Sequence, residues 1–232
     1  MDSRFAGIRA CVFDAYGTLF DFASAAAGCA DVLGERVGPL TALWRDKQLQ
    51  YSWLRSLQGR YVPFRQVTAD ALDFALAAMG LADPALRARL LGLYDTLDPF
   101  PEVPGVLTAL AGRGLRLAIL SNGSPDMLAP LVDRPGVREN LHEVMSVDAV
   151  GIFKTGTAVY RHAVERMGVA ADEICFFSSN GWDAWAASDF GMRVIWCNRS
   201  GQPREILPGH PDAEVRNLAE ALAHLMPAAV GQ

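Results

Sequence analysis

Short apolar runs that alternate with amphipathic helical patterns predict an α/β fold, with a Rossmann-like, doubly wound parallel sheet at its core. A long strand-free stretch after the first run adds a helical cap, inserted after the first strand. A cluster of prolines, Pro99, Pro101 and Pro104, then marks the return of the chain to the sheet.

The apolar runs are I-R-A-C-V-F at 8–13, L-R-L-A-I-L at 115–120, E-I-C-F-F at 173–177 and M-R-V-I-W-C at 192–197. One more strand is expected near 143–147. Helical spacing fills 103–112, 125–133, 157–167, 182–190 and 214–225. Between 22 and 97 apolar residues recur three and four apart, as in A-L-W-R-D-K-Q-L-Q-Y-S-W-L-R-S-L. The expected division is a core of residues 1–20 and 99–232 and a helical lid of residues 21–98. Such a lid sits over the carboxyl end of the sheet, where open α/β folds bind their ligands.

Composition narrows the partners. The chain has 232 residues, 51% of them hydrophobic and 20% charged, which suits a globular protein with a real core. A formal net charge of -5 offers no basic surplus for nucleic acid. No apolar run reaches the length of a membrane span, so no membrane partner is expected. Cys11, Cys29, Cys175 and Cys197 are scattered without C-x-x-C or zinc spacing, as in a reducing compartment. The first strand follows the N-terminus too closely for a signal region, and a cytoplasmic location is expected.

Chemistry concentrates where strands end, because loops there sit on a rigid support. The first strand ends in Asp14, followed by Tyr16, Gly17 and Thr18. The second ends in Ser121-Asn122-Gly123. After the strand near 143–147, G-I-F-K delivers Lys154. The 173–177 strand ends in Ser178, Ser179, Asn180, Gly181, Trp182 and Asp183. Singly, each is an ordinary turn or cap. Their order on one parallel sheet is the informative feature.

With these residues in place, the sequence resembles the haloacid dehalogenase superfamily over almost its whole length. More narrowly it resembles the L-2-haloacid dehalogenases, in F-D-A-Y-G-T-L-F-D, A-L-W-R-D-K-Q-L-Q-Y-S-W-L-R, A-I-L-S-N-G-S-P and S-S-N-G-W-D. Most superfamily members are magnesium-dependent phosphatases with D-x-D as their first motif. Here Tyr16 stands at the second acid position, and Ser179 replaces the first acid of the fourth motif. The remaining pair, Asp14 and Asp183 with the cation Lys154, is a poor magnesium site, so neither metal nor cofactor is expected. A halide leaves as a weak base and needs no proton donor, which the absence of the second acid matches. The same-fold rival is a phosphatase; the other rival is a pocket that binds a small carboxylate without turnover.

The resemblance implies hydrolytic release of halide from short L-2-haloalkanoic acids, giving D-2-hydroxy acids through an aspartyl ester. Asp14 is the expected nucleophile. Arg45, with Asn122 and the Trp182 indole, is expected to receive the halide. Ser121 and backbone N–H groups are expected to hold the substrate carboxylate. Lys154 is expected to orient Asp14, and Asp183 to act on the hydrolytic water with Asn180. Thr18 and Ser178 are expected to fix carboxylate rotamers, and Tyr160 to reach Asp14 or Lys154. Tyr16, Leu49, Phe64 and Trp182 are expected to enclose the alkyl group, while Trp53 and Trp196 are left to the core. The family's K-P after the lysine is here Lys154-Thr155, which predicts a looser hold on Lys154. A homodimer is the family expectation.

Overall fold

The computed structural model of the chain describes residues 2–22 and 28–225. Parts of both expected domains, 23–27 in the lid and 226–232 in the core, lie outside the described residues. Among the described residues six parallel strands form one sheet in the order β3-β2-β1-β4-β5-β6. They are β1 (Ala10–Phe13), β2 (Arg116–Ser121), β3 (Glu143–Ser146), β4 (Ile174–Ser178), β5 (Arg193–Cys197) and β6 (Ala213–Val215). Strand order reverses beside β1, the switch point at which a crevice opens outside the carboxyl ends of the strands.

β1 reads A-C-V-F and is buried throughout, as a central strand covered on both faces requires. Its Phe13 pairs in register with Phe177 of β4, and the two rings stack 4.6 Å apart. The insert follows β1. Its helices are α1 (Ala30–Leu33), α2 (Val37–Leu57), α3 (Phe64–Ala78) and α4 (Pro84–Leu93). α2 buries Leu40, Trp44, Gln48 and Ser52, one stripe at four-residue spacing. α3 buries seven residues, among them Val67, Thr68, Ala71 and Leu72, and packs along α2.

The rest of the chain alternates. α5 (Val103–Ala111), α6 (Pro125–Val132), α7 (Thr157–Met167) and α8 (Gly181–Asp189) lead into β2, β3, β4 and β5 respectively. Proline opens α6 at its first turn, where no N–H is needed. One expectation fails at the C-terminal end. The expected helix over 214–225 is a three-residue strand, β6, followed by a shorter helix, α9 (Leu218–Leu225). Ala213 and Val215 are buried while Glu214 is exposed, and the strand pairs with Ile195–Cys197 of β5. Three residues are too few to establish a two-residue period against the helical pattern that follows them.

Candidate functional site

The loops after β1, β2 and β4, and the segment after β3, converge at the carboxyl edge of the sheet. Asp14 is the first residue past β1, and its own N–H bonds Phe177 O at 2.9 Å, which fixes it to the neighbouring strand. The chain then turns through Gly17, whose φ of 80° is a conformation that side-chain-bearing residues rarely adopt.

Asp14 is almost fully buried, and donors converge on its carboxylate. Lys154 Nζ donates to Oδ1 at 3.0 Å. Asn180 Nδ2 donates to Oδ2 at 2.8 Å and Thr18 Oγ1 at 3.2 Å. Ser178 Oγ stands 3.5 Å from the same oxygen, beyond the usual range for a hydroxyl bond, and accepts the N–H of Asn180 at 3.1 Å. Thr18 Oγ1 also accepts the N–H of Ser179 at 2.8 Å. These bonds close the loop after β4 onto the loop after β1.

Lys154 is the hinge of the charged group. Its Nζ donates to Asp14 and, at 2.8 Å, to Asp183 Oδ2, and its side chain is fully buried. Burial works against its charge, but the two carboxylates outweigh it and carry its pKa above the ordinary lysine value. The side chain of Asn122 accepts the Lys154 N–H at 2.9 Å through Oδ1. The peptide bond after Lys154 is cis. Two carboxylates and the Asn122 amide anchor Lys154; they come from the loops after β1 and β2 and from the first turn of α8.

Asp183 is completely buried in the first turn of α8. Burial, with the neighbouring Asp14 charge, raises its pKa, while Lys154 and the Tyr160 hydroxyl pull the other way. Tyr160 donates to Asp183 Oδ1 at 2.7 Å and makes no hydrogen bond with Asp14 or Lys154 among the described residues. α7 approaches the sheet behind Asp183, so the ring meets that carboxylate first and packs on Phe176 and Phe190.

The lid supplies the other side. Arg45 on α2 donates from Nη1 to Gln48 Oε1 at 2.7 Å and from Nη2 to Asn180 Oδ1 at 3.1 Å. Asn180 therefore ties the lid arginine to Asp14 through one amide. Tyr16 is buried with its hydroxyl unpaired among the described residues. A side chain at Gly123 would stand 2.9 Å from the Tyr16 ring, so only glycine lets the loop after β2 come this close. Phe64 is buried with its ring 6.3 Å from Tyr16, and Leu49 is half-buried beside Gln48. Ser121 is fully buried at the end of β2; its Oγ accepts the Gly123 N–H at 3.0 Å and keeps its own proton to donate.

A cavity of about 800 Å³ lies beside the site; of the expected site residues only Lys154 and Trp182 line it, with Trp53 and Phe153, while Asp14, Arg45, Asn122 and Asn180 are not among its walls. Trp182 is half-buried and meets Trp53 edge-on at 5.7 Å. Trp53 is thus not a core residue: it is half-buried in this wall, with its indole N–H unpaired among the described residues. Trp196 is core, and its Nε1 donates to Ser179 O at 3.3 Å. A separate cavity of about 960 Å³ runs along the β3 edge and contains none of the expected site residues except by neighbourhood in sequence.

Sequence reasoning missed Gln48, Thr68 and Tyr94. Gln48 Nε2 donates to Thr68 Oγ1 at 2.8 Å and to the Tyr94 hydroxyl at 3.2 Å, and all three are buried. A signal existed for Gln48 alone, three residues beyond Arg45 and so on the same helix face. Among the described residues no three acids, histidines or cysteines gather as a metal site. No helix among them is long and apolar enough to cross a membrane. The four cysteines are buried and unpaired.

Residues 8–191 match the haloacid dehalogenase-like hydrolase family. The chain is 43% identical to the (S)-2-haloacid dehalogenase of Pseudomonas sp. (strain YL) over 226 residues, 97% of each chain. It is 40% identical to haloacetate dehalogenase H-2 of Moraxella sp. (strain B), over 94% of this chain and 98% of that one. Among solved structures it superimposes on the L-2-haloacid dehalogenase of Xanthobacter autotrophicus with chloropropionic acid covalently bound, with a TM-score of 0.86. That relative is 37% identical, with 95% of this chain and 100% of that one covered. The chain belongs to the haloacid dehalogenase-like hydrolases, in their L-2-haloacid dehalogenase branch.

Proposed function

We propose that this protein is an (S)-2-haloacid dehalogenase, a hydrolase that converts short L-2-haloalkanoic acids to D-2-hydroxy acids with release of halide. The observation that carries the reading is the Asp14 carboxylate, held by Lys154, Asn180 and Thr18, with buried Tyr16 where a second acid would protonate a poorer leaving group. An oxygen of Asp14 attacks C2 from the side opposite the halogen. The C2–O bond forms as the C2–halogen bond breaks, and the electron pair leaves on the halide with inversion.

The halide passes to Arg45, with Asn122 and the Trp182 indole beside it. Ser121 and local backbone N–H groups hold the substrate carboxylate so that C2 lies in line with Asp14. Water then attacks Cγ of the ester. Asp183 accepts its proton, and its raised pKa makes it a stronger base than an exposed carboxylate. The Cγ–O bond to the product breaks, the proton passes to the product oxygen, and Asp14 is restored. Thr18 and Asn180 keep the carboxylate plane fixed throughout, and Ser178 holds the Asn180 backbone; Tyr160 holds Asp183. Tyr16, Leu49 and Phe64, with Trp182, enclose the alkyl group and keep bulk water from the reacting carbon.

The reading needs no metal, because the ammonium of Lys154 occupies the place between the two carboxylates. It is supported by the dehalogenase relatives, and by the covalently bound chloropropionic acid in the Xanthobacter enzyme. With it go three further proposals: a core of residues 1–20 and 99–232 under a lid of 21–98, a homodimeric assembly, and a cytoplasmic location. Single-turnover reaction of excess enzyme with L-2-chloropropionate in oxygen-18 water tests the mechanism. The product's new oxygen is expected to come from Asp14 and to be unlabelled. Immediate uptake of solvent label into the product would sink the ester pathway.

A further inference from the structure

Gln48 is a fully buried amide in the middle of α2, between lid helices whose other contacts are largely apolar. A leucine would fill such a place with no polar group to satisfy, whereas a buried amide is costly unless its groups are bonded. Here the bonds are made, and their sense is forced. Arginine can only donate, so the Gln48 carbonyl must face Arg45 Nη1, 2.7 Å away. The NH₂ then faces Thr68 Oγ1 at 2.8 Å and the Tyr94 hydroxyl at 3.2 Å, both of which can accept.

Those two acceptors are themselves fixed. Trp44 Nε1 donates to Thr68 O at 2.9 Å, and Tyr94 packs against Trp44, Phe22 and Tyr16 with ring centroids 5.1, 5.0 and 5.8 Å away. The Gln48 carbonyl is therefore a rigid, neutral rest for one arm of the Arg45 guanidinium, and Asn180 Oδ1 is the second. Among the described residues no carboxylate pairs with Arg45. A glutamate at position 48 would hold the same arm and cancel its charge; the amide holds it and leaves the charge available.

We propose that Gln48 is a positioning residue for halide capture, fixing the Arg45 fork without neutralising it. The inference rests on the role of Arg45 in the proposed function. The test compares wild type with Arg45→Lys, Gln48→Glu and Gln48→Met, using L-2-chloropropionate as substrate and bromide as product-like inhibitor. Gln48→Glu keeps the side-chain shape, and both hydroxyls can rotate to donate to the carboxylate. It is expected to weaken bromide inhibition about tenfold or more, with kcat falling further for the chloro than for the iodo substrate and KM moving less. Gln48→Met, which removes the rest but adds no charge, is expected to shift both in the same direction to a smaller degree, and decides the matter if the glutamate variant does not fold. Bromide inhibition unchanged in the folded Gln48 variants, with kcat lowered alike for every halogen, would make Gln48 a packing residue and overturn the inference. If Arg45→Lys alone also leaves bromide inhibition unchanged, the halide role of Arg45 falls with it; if Arg45→Lys weakens it, that role stands.

Discussion

On the sheet side of the site the Lys154 ammonium lies between the carboxylates of Asp14 and Asp183, at 3.0 and 2.8 Å, and every charge is paired. On the lid side the Arg45 guanidinium rests on the amide oxygens of Gln48 and Asn180, and no carboxylate among the described residues pairs with it. In the proposed function the two sides have different tasks. As the proposed nucleophile, Asp14 is held in one orientation while buried, and a buried charge is tolerable only with a partner. As the proposed halide acceptor, Arg45 meets a charge that arrives with the reaction, so its partners orient it without using it up. Asn180 belongs to both sides, donating to Asp14 and accepting from Arg45.

The largest effect that could break this picture is removal of the sheet-side cation. Lys154→Met leaves two buried carboxylates facing each other, a loss of about 3–5 kcal/mol of stability at neutral pH together with loss of turnover. The sign with pH is definite. Without the cation, the Asp183 pKa, already raised by burial and lowered in part by Lys154, moves further above its unfolded value. The stability that Asp183 contributes in the variant is then fully present below the unfolded carboxylate range and is lost as pH rises through the folded value. Thermal melts across acidic to neutral pH should show the gap to wild type widen upward; a gap independent of pH would mean the pairing is not what Lys154 contributes.

A smaller effect concerns Asp183, the proposed base. In that role it must be ionised to accept a proton from water, and its folded pKa is raised by burial. The acid limb of ester hydrolysis should therefore lie at higher pH than an ordinary carboxylate would give, while Lys154, held protonated, contributes no alkaline limb near neutrality. Single-turnover decay of the ester across pH reads this directly; an acid limb at the ordinary aspartate value would remove Asp183 as the base.

The smallest expected change is at Tyr160. Tyr160→Phe deletes one donor to Asp183, at a cost of about 1–3 kcal/mol. Because that hydrogen bond lowers the Asp183 pKa, the acid limb should move to still higher pH. Loss of stability with an unmoved limb would reduce Tyr160 to packing.

Much of the sheet side was legible in advance, since Asp14, Ser121, Lys154 and Asp183 each stand at or just past the end of an apolar run, and a parallel sheet brings such ends together. Tyr160 was legible only as a candidate, because helical spacing places it against the sheet without saying which carboxylate it meets. Trp53 was misjudged as core: it lines the cavity together with Ser56 and Leu57, three and four positions on, and sequence spacing does not distinguish a cavity wall from an interior. Tyr94 and Thr68 were not legible at all, lying 46 and 20 residues beyond Gln48 with no pattern to join them. The β6 strand was hidden by its brevity.

By itself the sequence determined the alternation of strand and helix, the strand-free insert, and the chemical identity of the groups at the strand ends, because these depend on local periodicity and on residue type. Only the tertiary structure decided how those groups are shared: that Lys154 serves both carboxylates, that Asn180 joins sheet to lid, and that Arg45 is held by a neutral amide. Hydrogen-bond partners are chosen by distance and direction among side chains far apart in the chain, and burial then makes each choice costly to change.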